Sequence, residues 1–396
     1  MRHGPLSRFT IIDASRVRAG PTAVRLFADM GARVIKLEIP RGAPGGDDMI
    51  GGRDHNRADY ENLHRSKESL TLNMKEPEGR EILRTLVKNA DVFIENFRPD
   101  VKHRLGIGPE DLQVVNPRLV YASISGFGQD GPYANWPGFD SIAQGMGGLM
   151  SITGKPGEGP MRVGIPIADL CAGHFCAMGI LTALLERDVS GKGRWVHTSL
   201  LEAQIAMLDF QAAQYLVDKK VPSQNGNEHP LTVPTGVFAT SDGYLNIAAI
   251  GQTMWVRLCK AIGLEELIEK PGFLSENERV ANRVEVNAAV GAAFKCRSTA
   301  EWTEALLKAG VPCGPIYNVD QVFADRQVKH LGIAWPLSLP QLGDVSVVGQ
   351  PFHLSGYNQQ SEVNPAPEQG EQTDAILSSL GYTAERIEEL RSKYIV

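Results

Sequence analysis

The chain predicts an α/β protein, a Rossmann-like large domain with a parallel sheet plus a smaller α+β domain. Three observations carry that expectation. Short β-like runs alternate with amphipathic helical stretches over roughly the first 130 residues. A later block opens on a hairpin signal and continues as helices. The 396 residues also exceed what one small core can fill. The expected division is a large domain of residues 1–220 and 330–396 and a small domain of residues 221–329.

The elements follow in order. Phe9–Ala14 reads as a strand, and the helical pattern Thr22–Met30 follows Gly20-Pro21. Ala32–Leu37 and Ser69–Asn73 read as strands, Glu76–Lys88 as a helix, and Asp91–Asn96 and Leu119–Ile124 again as strands. Strands separated by helices at this spacing form a parallel sheet covered on both faces, with ligands beyond the carboxyl ends of its strands. A site is therefore expected among Arg16–Gly20, Asn73–Lys75, Asn96–Arg104 and Ser125–Asp140. The polar, glycine-rich stretch from Gly42 to Asn62 reads as a surface loop. Trp195–Ser199 is a strand leading into a helix from Glu202 to about Val217, and Pro222–Pro234 breaks the pattern as a domain crossing. Gly236–Thr240 and Tyr244–Ile250 flank Ser241-Asp242-Gly243 as a hairpin. Helices are expected at Met254–Ile262, Val280–Phe294 and Glu301–Ala309, with a β-like Ile316–Val319 after them. Pro365–Gln372 reads as a loop, and Thr373–Leu380 and Thr383–Tyr394 as helices.

Composition narrows the class. Hydrophobic residues at 42% and charged residues at 22% are those of an ordinary globular protein. A net charge of −6 without a basic run argues against a nucleic-acid partner. Five cysteines, an odd number with no repeated close pairing, fit a reducing cytoplasm. The first ten residues lack the apolar core of a signal peptide. Gly164–Leu185 alone approaches membrane-spanning length, but Asp169, His174 and its small residues favour a buried helix. A cytoplasmic protein with no membrane partner is expected.

Asp169 is the only carboxylate in that run. Such a charge must be paired, placed at an element's end or held for chemistry. Pro166 places it near a helix N-terminus, so it reads either as an N-cap or as a functional acid. Nucleotide loops are poorly supported: Val17-Arg18-Ala19-Gly20-Pro21 is not G-x-G-x-x-G, Met150 stands where the last glycine after Gly145-Met146-Gly147-Gly148 belongs, and no Walker loop exists. Cys171, His174 and Cys176 form an incomplete ligand set, so no metal is expected. Cys171, Cys176 and Cys313 read as packing residues rather than nucleophiles. Arg18, Lys75, Asn96, Arg98 and Arg104 each follow a strand at the same sheet edge. Together they suit a phosphate-bearing ligand.

Val17-Arg18-Ala19-Gly20-Pro21, Val34-Ile35-Lys36-Leu37-Glu38, Leu72-Asn73-Met74-Lys75, Glu95-Asn96-Phe97-Arg98-Pro99, Ser125-Gly126-Phe127-Gly128-Gln129-Asp130-Gly131-Pro132 and Gly193-Arg194-Trp195-Val196-His197-Thr198-Ser199-Leu200 resemble the class III CoA-transferases. That family includes formyl-CoA, carnitine and bile-acid CoA-transferases and the related α-methylacyl-CoA racemases. The resemblance runs from about residue 7 to the C-terminus. It implies an interlocked homodimer and a nucleophile in the Asp-Leu-x-x-Gly segment, which maps onto Asp169. It also implies CoA contacts at Arg18, Ala19, Leu72, Asn73, Lys75, Asn96, Phe97, Arg98 and Arg104. Coenzyme A and its acyl esters would then be substrates, with no tightly bound cofactor.

Departures shape the finer expectations. Pro137 and Phe139 replace the basic residue and tyrosine that precede the acidic partner in formyl-CoA transferase, here Asp140. This weakens an oxalate or formyl specificity. The racemases carry a histidine where Phe139 stands, so transfer is favoured over α-proton exchange. Ile250-Gly251-Gln252 is the nearest counterpart of a glycine-rich flap, with Gly251 as the candidate oxyanion donor. Gln211–Pro234 and Gly251-Gln252 look most like the branch using succinyl-CoA with dicarboxylates. The expected reaction passes CoA from an acyl-CoA to a carboxylic acid through an aspartyl anhydride and an aspartyl-CoA thioester. The alternatives are a 2-methylacyl-CoA racemase, an acyl-CoA thioesterase and a non-catalytic acyl-CoA binder.

Overall fold

Alternating strands and helices build the structure, a computed structural model that describes residues 4–43, 57–340, 342–358 and 363–396. The first half runs β1 (Thr10–Asp13), α1 (Ala19–Asp29), β2 (Arg33–Glu38), α2 (Arg57–His64), β3 (Glu68–Thr71), α3 (Pro77–Val87), β4 (Val92–Glu95), α4 (Pro99–Leu105), α5 (Pro109–Val115) and β5 (Val120–Ser125). It continues with α6 (Asp140–Met146), α7 (Leu149–Ile152), α8 (Ile167–Ser190), β6 (Trp195–Ser199), α9 (Leu200–Ala206) and α10 (Phe210–Asp218). The second half holds β7 (Thr235–Ala239), β8 (Tyr244–Ala248), α11 (Gly251–Ile262), α12 (Glu276–Ala281), α13 (Arg283–Phe294), α14 (Thr299–Lys308), β9 (Cys313–Pro315), α15 (Val319–Ala324) and α16 (Arg326–Leu331). The hairpin β10 (Ala334–Leu339) and β11 (Gly343–Val348) and the helices α17 (Thr373–Ser379) and α18 (Ala384–Ser392) complete it.

Contacts divide the chain into two compact units. One comprises Met1–Leu149, Arg162–Lys219 and Leu331–Val396; the other comprises Met150–Met161 and Lys220–His330. The first is built on a six-stranded parallel sheet in the order β3-β2-β1-β4-β5-β6. Alternation along β1 sends Ile11 into the core beneath α1 and α8, and Ile12 into the opposite core beneath α3, α5, α17 and α18. Both faces are therefore covered, which is the doubly wound arrangement. The second unit carries the antiparallel sheet β7-β8-β9, packed with α11, α13 and α14 around Trp255, Phe294 and Trp302.

Several elements differ from expectation. Helix α1 begins at Ala19, so Gly20-Pro21 lies inside its first turn, where a missing N–H is harmless. The expected loop from Gly42 to Asn62 lies in part outside the described residues, and Arg57–Asn62 is helical. The expected helix to Val217 is broken after Ala206, where Asp209 adopts φ +46°. The β-like run Ile316–Val319 is displaced to Cys313–Pro315, because β8 offers its register there and Asn318 with Gln321 starts α15 through a capping box. The β10–β11 hairpin was hidden by Pro336, although Trp335, Leu337 and Leu339 alternate.

Helix α8 is long and apolar enough to cross a membrane by composition, yet it packs on α1, α9, β5 and β6. The helix buries one face and leaves the other exposed. Ala168, Ala172, Cys176, Ile180 and Leu184 are inside, while Phe175, Met178 and Leu185 are exposed. The contact with α1 is close because Gly173 has no side chain. A Cβ there would lie 2.6 Å from the Ala19 carbonyl oxygen and 2.9 Å from Thr22 Cβ. Gly173→Val is therefore expected to destabilise the protein by about 1–3 kcal/mol through overpacking, measured as a lowered urea midpoint.

Candidate active site

A cavity of about 390 Å3 lies beyond the carboxyl ends of β1, β4 and β5. The strand order reverses between β1 and β4, which is where an open α/β sheet leaves room for a ligand. Asp169 lines this cavity together with Arg18, Ala19, Asn96, Phe97 and Arg98. Six of the residues singled out from the sequence thus converge on one space.

Asp169 sits in the first turn of α8, whose N-cap is Pro166 without a side-chain bond. The N-cap reading of Asp169 is therefore excluded. The capping is done by Asp140, the first residue of α6. Its Oδ1 accepts from the Ala168 N–H at 2.9 Å and from the Asp169 N–H at 3.4 Å. Its Oδ2 accepts from Gln144 Nε2 at 2.7 Å and lies 3.7 Å from Arg162 Nη2. Gln144 in turn binds the Val163 N–H and the Ile165 carbonyl, fixing the segment that enters α8. A helix start leaves orphan N–H donors, and a carboxylate from a neighbouring helix fills two of them here.

This arrangement sets the chemistry of Asp169. Burial and then the nearby Asp140 charge push its carboxyl up to about 6, while Arg18 opposes them. The group is an anion near neutral pH but a weakly solvated one, which suits a nucleophile more than a surface acid.

The β1–α1 turn is strained and clamped. Val17, a β-branched residue, adopts φ +63°, a conformation costing on the order of 1–3 kcal/mol. Asn96 holds it: its Oδ1 accepts from the Arg16 N–H and its Nδ2 donates to the Arg16 carbonyl, both at 2.8 Å. The Asn96 amide is thus committed to the protein. Arg18 is the N-cap residue of α1, and its guanidinium binds Asp59 of α2 at 3.1 and 2.7 Å. Arg98 stands half-exposed 3.7 Å from Asp100.

Four of the expected CoA contacts lie outside the cavity. Leu72 is buried in the core, and Asn73 is tied to the Ile395 and Tyr394 carbonyls. Lys75 is exposed beyond β3, and Arg104 is exposed on α4, 3.8 Å from Asp100. The side chains of Leu72 and Asn73 serve the fold. Gly251 belongs to the second unit, where it opens α11 with φ +77° and open space around its Cα. No sequence signal marks Arg279, which is fully buried there and binds Gln252 Oε1 at 2.8 Å and the Val233 and Phe273 carbonyls. An arginine on a short polar helix looks solvated in sequence, and only the pairing reveals otherwise. Among the described residues, no three His, Cys, Asp or Glu side chains are grouped to hold a metal ion.

Residues 6–373 match the family model for CoA-transferase family III. A succinate–glutarate CoA-transferase of Agrobacterium fabrum is 37% identical over 394 residues, covering 96% of each chain. An acetyl-CoA:oxalate CoA-transferase of Acetobacter aceti is 37% identical, covering 94% of this chain and 95% of the other. The crystal structure of a CAIB/BAIF family protein from Brucella suis superposes with a TM-score of 0.82 at 34% identity, covering 96% of this chain and all of that one.

Two outcomes follow from the Asp169 environment. The acid limb of kcat/KM is expected near about pH 6, with activity lost as the pH falls, and Asp140→Asn should move it to lower pH. The substitution keeps an oxygen for the cap and removes the like charge. A pH–rate series on both proteins checks this. Stability gives a second test. An unfolded aspartate titrates at ~3.9, so between pH ~4 and ~6 the folded state retains a proton that the unfolded state has lost. The destabilisation from burying Asp169 is absent below that window and full above it. Asp169→Asn should therefore be more stable than the parent at about pH 8 by about 1–3 kcal/mol, a gain that vanishes near pH 4 in urea titrations.

Proposed function

The chain belongs to CoA-transferase family III, and on that premise we propose that it moves CoA reversibly from an acyl-CoA, succinyl-CoA foremost, to a carboxylic acid. The observation that carries this reading is a partly buried carboxylate, Asp169, in a strand-end cavity, capped into place by Asp140.

The Asp169 carboxylate attacks the thioester carbonyl, and the C–S bond breaks to give an aspartyl mixed anhydride and CoA thiolate. The thiolate attacks the aspartyl carbonyl, forming an aspartyl-CoA thioester and releasing the donor acid. The acceptor carboxylate then attacks that thioester, and returning thiolate takes the new acyl group, regenerating Asp169. Each intermediate is prone to hydrolysis, so water must be excluded. Val17, Phe97, Pro99, Val101, Trp136, Phe139 and Leu200 supply apolar wall for that purpose. The N-terminus of α1, which carries no side-chain cap, opens at Ala19 on the same cavity and favours the negative charge that develops.

The region formed by residues 1–220 and 330–396 serves as the CoA-binding domain in this reading. Arg98, Lys75 and Arg104 are the cations best placed along the sheet edge for the CoA phosphates. Phe139 on the cavity wall offers no second acid or base, which disfavours the racemase alternative. Helices α6, α8, α9 and α10 leave Ile142, Met146, Met178, Ile205, Phe210 and Leu216 exposed. That apolar surface supports a homodimer that covers it. We place the enzyme in the cytoplasm.

Asp169→Ala is expected to lower transfer by more than about a thousandfold, since it removes the covalent route. The check is mass spectrometry of the CoA esters formed from a panel of donors and acceptors. Parent protein incubated with acyl-CoA should also yield an adduct on the peptide containing Asp169. Release of free CoA without an acceptor, at the rate of transfer, would instead identify a thioesterase.

A further inference from the structure

Arg18 differs from the other cations around the cavity. Arg98 is half-exposed, and the Arg16 guanidinium lies over the Phe97 ring at 5.6 Å. Arg18 is more enclosed: its side chain and that of Asp59 are 26% and 21% exposed. Asp59 grips the fork through both Nη atoms, at 3.1 and 2.7 Å. A guanidinium carries more N–H donors than those two bonds use, Nε–H among them. The rest of the wall is mainly apolar, including Val17, Phe97, Trp136, Phe139 and Leu200.

An acyl group whose carbonyl carbon meets Asp169 therefore has methylene-compatible wall around it, with the Arg18 fork, held by Asp59, sharing the cavity with Arg16 and Arg98. Arg18 and Asp169 both line this cavity, so one ligand occupying it meets both. A methyl-ended chain leaves that cation to Asp59 alone. A chain ending in a carboxylate supplies the planar partner that an arginine fork prefers.

We propose that Arg18, oriented by Asp59, is the specificity-determining residue of this site and receives the second carboxylate of a dicarboxylic acyl group. The proposal rests on the transfer reading above and adds to it the residue that selects a dicarboxylic acyl group. Asp59 has a double role. It keeps the cation from standing unpaired in a half-enclosed wall, and it competes with the ligand for the same fork.

The test compares glutarate and pentanoate, acids of equal carbon number, as CoA acceptors for the full-length protein with one donor. The quantity read is the ratio of kcat/KM for the diacid to that for the monoacid, in which losses of folded protein or of CoA binding cancel. In Arg18→Gln the ratio is expected to fall at least about tenfold, because a site built to bind a charged group discriminates by that group. Arg18→Lys should recover part of it, as a point charge without the fork. Asp59→Asn, which keeps an orienting oxygen and removes the competing charge, should raise the ratio by about threefold. A ratio in Arg18→Gln within about twofold of the parent overturns the assignment, including the case in which KM for the acyl-CoA rises instead, the mark of a phosphate contact. Parent protein that passes CoA to neither acid sinks the transfer reading itself. Transfer with an unchanged ratio sinks only the role of Arg18.

Discussion

One carboxylate, that of Asp140, accepts the first N–H groups of a helix to which it does not belong. The rest of the site depends on that contact. An uncapped helix start in the interior is unstable, and Pro166 as N-cap offers no side-chain acceptor. Asp140 supplies one across from α6, and Gln144 one turn later ties down the entering segment. The position of Asp169 is thereby fixed relative to the cavity. The same charge that steers Asp169 also repels it, so Asp140 adds to the rise in the Asp169 pKa that burial begins.

Beneath the cavity the strand ends are held by charges out of contact with water. Asp13, the last residue of β1, pairs with Lys67 at 2.8 Å, and Glu95, the last residue of β4, pairs with Lys102 at 3.2 Å; all four side chains are fully buried. Such pairs add little net stability against an apolar replacement, yet breaking one leaves an uncompensated buried charge. Their value here is geometric. Lys102 also reaches Ser123 and Gln129, joining β4, β5 and the turn after β5. Asn96 completes the frame by clamping the strained turn at Val17. These bonds tie the strand ends beneath the cavity to one another and to the turns that line it.

The candidate site was legible in sequence where a residue's setting in the chain was itself abnormal. Asp169 stood out as a charge in an uncharged run, and Arg18, Asn96 and Arg98 stood out because each followed a strand. Leu72 and Asn73 were placed at the right edge by the same logic, but it could not tell a side chain facing the ligand from one spent on the core and the C-terminal carbonyls. Arg279 and Asp59 were missed because a charge on a polar helix carries no mark of its partner. The Arg18–Asp59 pair spans 41 positions in the chain, and no local pattern encodes such a distance.

Sequence alone determined the alternation of strand and helix, hence a parallel sheet with its ligand edge, because the periods of apolar residues are local properties of the chain. It also determined the family, because ordered motifs survive without knowledge of their contacts. Tertiary structure decided which charges meet. The capping of α8 by Asp140, the depth of Asp169, the commitment of Asn96 to the backbone and the fork held by Asp59 all depend on distances between segments remote in the chain. Electrostatics and hydrogen bonding fall off over a few ångströms, so they are settled only when folding brings those segments together.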